Sequence, residues 1–223
     1  MKVVWFAVIC VGLIGCQRSA QEKSELKTQK DSLSYSIGLD IGKNLKKQSF
    51  EIEPAILTQG IKDYQSGAKT MLTEEQAREV IMNFQKKAMA EASEKNKKDG
   101  DAFLAENKKK EGVITLPSGL QYKVLTTGTG NKPKAAETVS VNYRGTLIDG
   151  TEFDNSYKRG QPATLPVNGF IKGWTEGLQL MAVGSKWQLF IPSDLAYGER
   201  GYGQVIPPNA TLIFEMELLS INK

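Results

Sequence analysis

The spacing of apolar residues changes at Gly112, and no fold of a single class accommodates both sides of that change. Upstream, from Asp31 to Glu111, apolar side chains recur every three to four residues, the period of a helix with one buried face. Downstream they alternate, the period of a strand packed on one side. Residues 119–125, 138–147, 163–167, 186–191 and 211–221 read as strands. Asp149-Gly150 supplies a hairpin turn. One short helical interval breaks the series, Ile171 to Met181, with Trp174, Leu178 and Met181 on one face. The pattern predicts an α+β chain: an N-terminal all-helical segment, then an antiparallel sheet curled around a short helix.

The helical segment divides further. Asp31 or Ser32 is placed to cap a first helix carrying Leu33, Ile37, Ile41 and Leu45. Ser34, Gly38 and Gly42 form a small-residue stripe four apart, which suits a close helix crossing. Glu53-Pro54 opens a second helix with proline in its first turn, and Gly67 stops it. Thr73-Glu74-Glu75-Gln76 fits a capping box. The helix that follows carries Ala77, Val80, Ile81, Phe84, Ala88 and Met89 on one side. Continued to Glu111 it would be roughly 55 Å long, with Gly100 as a point where it can kink. Beyond Ala92 the apolar stripe thins among lysines and glutamates, so the far half reads as a solvated spacer held by charge pairs. The apolar faces upstream are too few for a core of their own, and pairing of two copies through these helices would bury them.

Composition removes several chemistries. The chain has no histidine, and its two cysteines, Cys10 and Cys16, both lie near the N-terminus. The body therefore lacks a disulfide, a thiol nucleophile, a Ser-His pair and a cysteine or histidine metal site. No metal or cofactor is expected. Twenty-nine basic residues stand against 25 acidic ones along the same segments, and no groove-reading motif accompanies them, so no nucleic-acid partner is expected.

Lys2 is followed by an apolar run from Val3 to Ile14, too short to span a bilayer and shaped like a secretory signal. It ends Leu13-Ile14-Gly15-Cys16, which resembles the bacterial lipobox. That resemblance implies lipidation of Cys16 and attachment to the cell envelope through the lipid alone. Gln17 after the cysteine, in place of aspartate, resembles sequences sorted to the outer membrane. Residues 17–30 are polar and read as a tether.

The strings VNYRGTLIDGTEFDNS, FIKGWTEGLQLMAVGSKWQLFIP, LAYGERG and IPPNATLIFEMELL stand in the order and spacing of the FKBP-type peptidyl-prolyl isomerases, which they resemble. The helical segment with KKEGVITLPSGLQYKVL is similar to the macrophage infectivity potentiator-like bacterial branch of that family. The chain then divides into a signal peptide (1–16), a tether (17–30), a helical dimerisation segment with a long connecting helix (31–111) and an isomerase domain (112–223). The resemblance implies a hydrophobic proline pocket. Trp174 would be its floor, and Tyr143, Phe153, Ile171, Val205, Ile206 and Phe214 its walls. Tyr197 would donate its hydroxyl to a substrate carbonyl, and the Ile171 N–H would serve another. Asp154 would sit at the edge, oriented by Tyr143 or Arg159, and Tyr202 would cover the site from a flexible loop. Phe170 stands where relatives often have valine, Ala163 where they have phenylalanine and Tyr202 where they have histidine. The implied catalytic set is Asp154, Tyr197, Phe153, Trp174 and Phe214. The substrate-binding set is Tyr143, Arg159, Phe170, Ile171, Tyr202, Val205 and Ile206. The implied partners are proline-containing polypeptides, a second copy of the chain, and FKBP-directed macrolides as inhibitors. The competing readings are an ATP-independent chaperone with vestigial isomerase activity and a structural or host-contact adhesin.

Overall fold

The computed structural model describes residues 25–47 and 50–222, which fall into two compact units divided between Met71 and Leu72. The leader, Cys16 and residues 17–24 of the tether lie outside the described residues.

The first unit holds helices α1 (Gln29–Lys47) and α2 (Pro54–Ser66). α1 starts earlier than its expected cap. Thr28 Oγ1 accepts from the Asp31 N–H at 3.1 Å, and Asp31 Oδ2 accepts from the Thr28 N–H at 2.9 Å. Asp31 is thus the third-position partner of a capping box begun by Thr28. These bonds, Thr28's first, hold its carboxyl below the usual carboxylate range. α2 follows the sequence closely: Pro54 stands in its first turn and Gly67 ends it in the left-handed region at φ 67°. The apolar residues of both helices are exposed, Ile37 at 52% and Ile61 at 43% among them. Among the described residues nothing lies within 4 Å of a Cβ built on Gly38 or Gly42, so the close crossing suggested by their spacing is not made among those residues.

The second unit opens with α3 (Glu74–Asn107), whose capping box pairs Thr73 with Gln76 as the sequence predicts. Its first half exposes Val80, Ile81 and Met89. Charge pairs four residues apart, Lys87–Glu91, Lys95–Asp99 and Lys97–Asp101, follow along it. The far half is not a solvated spacer, however. The helix runs through Gly100 without a break and docks on the domain that follows. Gly100 is buried, and a Cβ there would stand 2.3 Å from Thr211 Oγ1. The Phe103 ring lies 6.0 Å from that of Phe190. Asn107 Nδ2 donates to Gln121 Oε1 at 3.0 Å, and Gln121 Nε2 donates to the Leu104 carbonyl at 2.9 Å. Apart from Phe103 these contacts are small or polar, so the face leaves no continuous apolar stripe. The helix ends at Asn107, and Gly112, at φ 77°, belongs to the turn leading into the sheet.

Seven antiparallel strands follow: β1 (Val113–Thr115), β2 (Gln121–Thr126), β3 (Thr138–Leu147), β4 (Glu152–Asn155), β5 (Ala163–Pro166), β6 (Lys186–Ile191) and β7 (Leu212–Asn222). Their order is β1-β2-β6-β7-β3-β4, with β5 beside the first half of β3. The Asp149-Gly150 turn joins β3 to β4, with the Thr151 N–H donating to Asp149 Oδ1. Two short helices interrupt the strands, α4 (Ser156–Arg159) and α5 (Lys172–Leu180). β3 buries Val139, Val141, Tyr143 and Gly145, and β7 buries Leu212, Phe214, Met216 and Leu218, the alternation expected of strands with one face in the core. α5 packs into the concave face of the sheet, burying Trp174 and Leu178. Its approach is set by two glycines four residues apart. A Cβ on Gly173 would lie 2.4 Å from Ile191 Cγ2, and one on Gly177 would lie 3.0 Å from Leu189 Cδ1. Close packing marked by spaced glycines is real in this chain, on α5 and at Gly100.

Candidate active site

At the open end of the curled sheet lies a cavity of about 270 Å³. It is lined by Tyr143, Phe153, Asp154, Phe170, Ile171, Trp174, Tyr197, Tyr202, Val205, Ile206 and Phe214. Of the twelve pocket residues expected from the sequence, eleven line it. Arg159, the twelfth, stands behind Asp154. Ala163 is on β5 and is not among the lining residues.

Each wall comes from a different element. α5 delivers Trp174 to the floor, 2% exposed. The Trp174 ring meets Tyr143 of β3 edge-on at 4.9 Å and Phe214 of β7 edge-on at 5.0 Å. Phe170, half exposed, stacks on it at 5.2 Å and 18°. Phe153 of β4 packs edge-on against Phe214 at 5.4 Å. These tilted and offset contacts suit the ring quadrupoles and leave a rigid apolar box. The Trp174 Nε1–H is buried without a hydrogen-bond partner among the described residues. Ile171 caps α5, its carbonyl accepting from the N–H groups of Trp174 and Thr175 at 3.0 and 3.2 Å.

The rim is formed by the loop before β7. Tyr202 and Val205 are largely exposed and Ile206 is buried. The Tyr197 and Tyr202 rings stack at 4.9 Å. Burial, then the neighbouring Tyr202 and Asp154, raise the Tyr197 hydroxyl above its ordinary pKa, so it stays a proton donor.

Asp154 is the one charged residue in the lining. Its Oδ2 accepts from the Tyr143 hydroxyl at 2.5 Å, its Oδ1 accepts from the Asn155 N–H at 2.8 Å, and the Arg159 guanidinium pairs with Oδ1. Arg159 also donates to the Tyr143 oxygen at 2.8 Å. Tyr143 and Arg159 therefore both orient the carboxylate, where the sequence left the two as alternatives. Burial first, then the bond to Asp154, raises the Tyr143 pKa; the Tyr143 bond raises that of Arg159.

The supports of this triad were not foreseen. The Asn155 side chain caps α4, accepting from the N–H groups of Tyr157 and Lys158. Fully buried Ser156 accepts from the Tyr143 N–H at 2.9 Å and so ties α4 to β3. Glu152 binds Lys158 at 2.7 Å and Arg144 at 2.7 Å, and these cations, Lys158 first, hold its carboxyl down to about 2. The Asn155-Ser156 pair after a strand was the available signal, since such residues start helices.

The chain was compared with known proteins. Residues 129–219 match the model of the FKBP-type peptidyl-prolyl cis-trans isomerase family, and residues 30–124 match that of the domain amino terminal to it. An outer membrane protein MIP of Legionella longbeachae is 50% identical, covering 100% of this chain and 98% of its own length. A peptidyl-prolyl cis-trans isomerase Mip of Coxiella burnetii is 43% identical over the full length of both. The crystal structure of FkpA from Escherichia coli superposes with a TM-score of 0.67 at 35% identity, covering 89% of this chain and 99% of that one.

Proposed function

Because the chain belongs to the FKBP-type peptidyl-prolyl cis-trans isomerases, and is therefore an enzyme that accelerates rotation about X–Pro bonds, we propose that the aromatic cavity floored by Trp174 is where it does so. The observation that carries this is the cavity's character: a box of aromatic and aliphatic side chains with a single charge, Asp154, at its edge. The barrier to X–Pro rotation is near 20 kcal/mol because amide resonance must be lost. No covalent bond is made or broken, so no histidine, thiol or metal is required. The twisted amide carries less charge on oxygen than the planar one, and an apolar, water-poor box favours that state over the planar form. The Ile171 N–H and the Tyr197 hydroxyl are the donors proposed to hold the peptide carbonyls. Asp154 already accepts from Tyr143, Asn155 and Arg159, which suits a fixed electrostatic element better than a free base. A proline-limited tetrapeptide assay on the chain lacking residues 1–16 tests the site. The expected result is acceleration suppressed by an FKBP-directed macrolide; acceleration that macrolide at saturation leaves intact would place catalysis elsewhere.

The setting proposed for this activity is the bacterial envelope, with Cys16 as the lipidated residue and unfolded or secreted polypeptides as clients. Its support is the lipobox-like leader and full-length likeness to a protein named as an outer membrane protein. No helix among the described residues is long and apolar enough to cross a membrane. The exposed apolar residues of α1 and α2 are proposed to be covered by the same helices of a second copy, with Gly38 and Gly42 leaving room for the approach. Sedimentation of the chain lacking residues 1–16 is expected to give a dimer at micromolar concentration, and Ile37→Glu a monomer that keeps its tetrapeptide activity. A wild-type monomer would remove the proposal.

A further inference from the structure

α3 reaches the pocket from behind, through the loop that forms its outer wall. That loop runs from Tyr197 to Thr211 and contributes Tyr202, Val205 and Ile206 to the lining. Its tip is closed by a reciprocal pair of bonds: the Tyr202 N–H donates to Ile206 O at 2.8 Å, and the Ile206 N–H donates to Tyr202 O at 3.1 Å. Its base is closed by the Asn209 N–H, which donates to Gly198 O at 2.8 Å. These bonds fix the loop's shape, and buried Ile206 seats its inner side in the same core as Trp174.

Two hydrogen bonds to α3 hold its outer side. Asn96 Nδ2 donates to the Pro208 carbonyl at 2.9 Å, and Asn209 Nδ2 donates to Ser93 Oγ at 2.8 Å. Asn209 is buried and stands at φ 54°, the one positive φ outside glycine among the described residues. Asparagine tolerates that conformation better than most residues. It turns the chain so that the side chain meets the helix. Ser93, Asn96 and Gly100 are spaced three and four apart, so one face of α3 makes both bonds and the close contact with Thr211. On the outer side of Pro207, Ala210 and Thr211 lies a surface cavity of about 330 Å³, bounded also by Asn96, Asp99, Leu147 and Asp149. The inner side of the loop is packed, with Ile206 and Thr211 buried, and the two hydrogen bonds add a directed tie from its outer side to α3.

Resting on the assignment of the Trp174 cavity as the isomerase site, we propose that Ser93 and Asn96 are positioning residues for the reaction. They hold the Tyr202–Ile206 wall at its distance from the floor and so set how tightly the pocket binds a proline-containing peptide. α3 is then part of the enzyme's specificity apparatus as well as its connection to the helical unit. Neither residue touches substrate; both act through the loop.

The test uses the chain lacking residues 1–16 carrying Ser93→Ala and Asn96→Ala together. The expected result is a three- to tenfold fall in kcat/KM for a proline tetrapeptide, the size of one or two neutral hydrogen bonds. The fall is carried by KM, with kcat within about twofold. Amide hydrogen exchange at Tyr202 and Ile206 quickens while that of Val141, Met216 and Leu218 does not. Ser93→Thr combined with Asn96→Ala keeps the hydroxyl that accepts from Asn209 and restores part of the affinity lost in the double variant. An unchanged kcat/KM in a chain whose wild type is active overturns the inference alone. A fall in kcat together with faster exchange throughout β3 and β7 shows a merely structural role and also overturns it. A macrolide that leaves wild-type activity intact overturns the pocket assignment instead, and the inference with it.

Discussion

Asp154→Ala is expected to lower kcat/KM for prolyl isomerisation by about ten- to a hundredfold while shifting the melting temperature by only a few degrees. The carboxylate stands at the mouth of the cavity with its side chain 40% exposed, and it fills no core space. Its worth to stability is discounted accordingly, because solvent screens partly exposed ion pairs. Its worth to the reaction is not, because a bound peptide would cover that mouth. A hydrogen bond to a charged group contributes about 1.5–3 kcal/mol, and that range corresponds to the stated loss in rate. Truncation also leaves the Tyr143 hydroxyl without its acceptor while Arg159 still donates to the oxygen. Asp154→Asn separates the two contributions: it keeps an acceptor for Tyr143 and removes the charge. If electrostatics dominates, the asparagine variant falls with alanine; if orientation dominates, it stays near wild type. A tetrapeptide assay beside thermal unfolding makes the measurement, and full activity in the alanine variant would strike Asp154 from the catalytic set. The triad also has a pH signature. The Tyr143 pKa is raised above 10.0, chiefly by burial and then by Asp154. A raised acid stabilises the fold fully below its unfolded value and loses that contribution as pH climbs through the folded one. The contribution of Tyr143 is therefore full and constant at neutral pH and is lost only in alkali.

The period change at Gly112 was enough to read the fold class, because helix and strand alternation are imposed by burial of one face and so are written in apolar residues. The bounds of β3 and β6, the Thr73–Gln76 capping box and the Asp149-Gly150 turn were legible for similar reasons: each rests on residues adjacent in sequence. The pocket was legible differently. Phe153, Trp174 and Phe214 look like ordinary core taken singly, and only the joint order of four motifs separated them from it. What escaped the sequence shares one property. The docking of α3 uses Ser93, Asn96, Gly100 and Asn107 against Pro208, Asn209, Thr211 and Gln121. Those contacts are polar or small, and some span more than a hundred residues. Hydrophobic periodicity carries no record of them, so the same helix face reads as solvated. The cap of α1 was displaced for a related reason: Thr28 and Asp31 are both acceptable caps, and which one starts the helix depends on hydrogen bonds outside the periodic pattern.

Gly145 makes the second large prediction, and it concerns a residue that does not line the pocket. On β3 it pairs with Phe214 of β7 on one side and Asp154 of β4 on the other, so it lies between two walls of the site. A Cβ added there would stand 2.6 Å from Phe153 Cε2 and Cζ and 2.8 Å from Phe214 Cε1. Those two rings already pack edge-on against each other and, through Phe214, against the Trp174 floor. The sheet around Gly145 is hydrogen-bonded on both edges, so the rings have to give way, and the open volume beside them is the cavity itself. Gly145→Val is therefore expected to fill the pocket from behind. Macrolide binding and tetrapeptide turnover should each fall by more than tenfold. The overpacking should cost about 1–3 kcal/mol of stability, well short of unfolding an ordinary domain. Gly150→Ala supplies the comparison. Gly150 has φ 87° and nothing within 4 Å of its Cβ position, so alanine there strains the backbone without crowding a ring. Its cost is of similar size, about 1–2 kcal/mol, but the pocket stays open and activity persists. Calorimetric titration with the macrolide, run beside chemical denaturation of both variants, separates the two cases. If Gly145→Val bound the macrolide as wild type does, the rings would have yielded away from the cavity. The glycine would then matter to strand packing alone. If it loses binding while the equally destabilised Gly150→Ala keeps it, a backbone position on β3 holds the pocket open by presenting no side chain of its own.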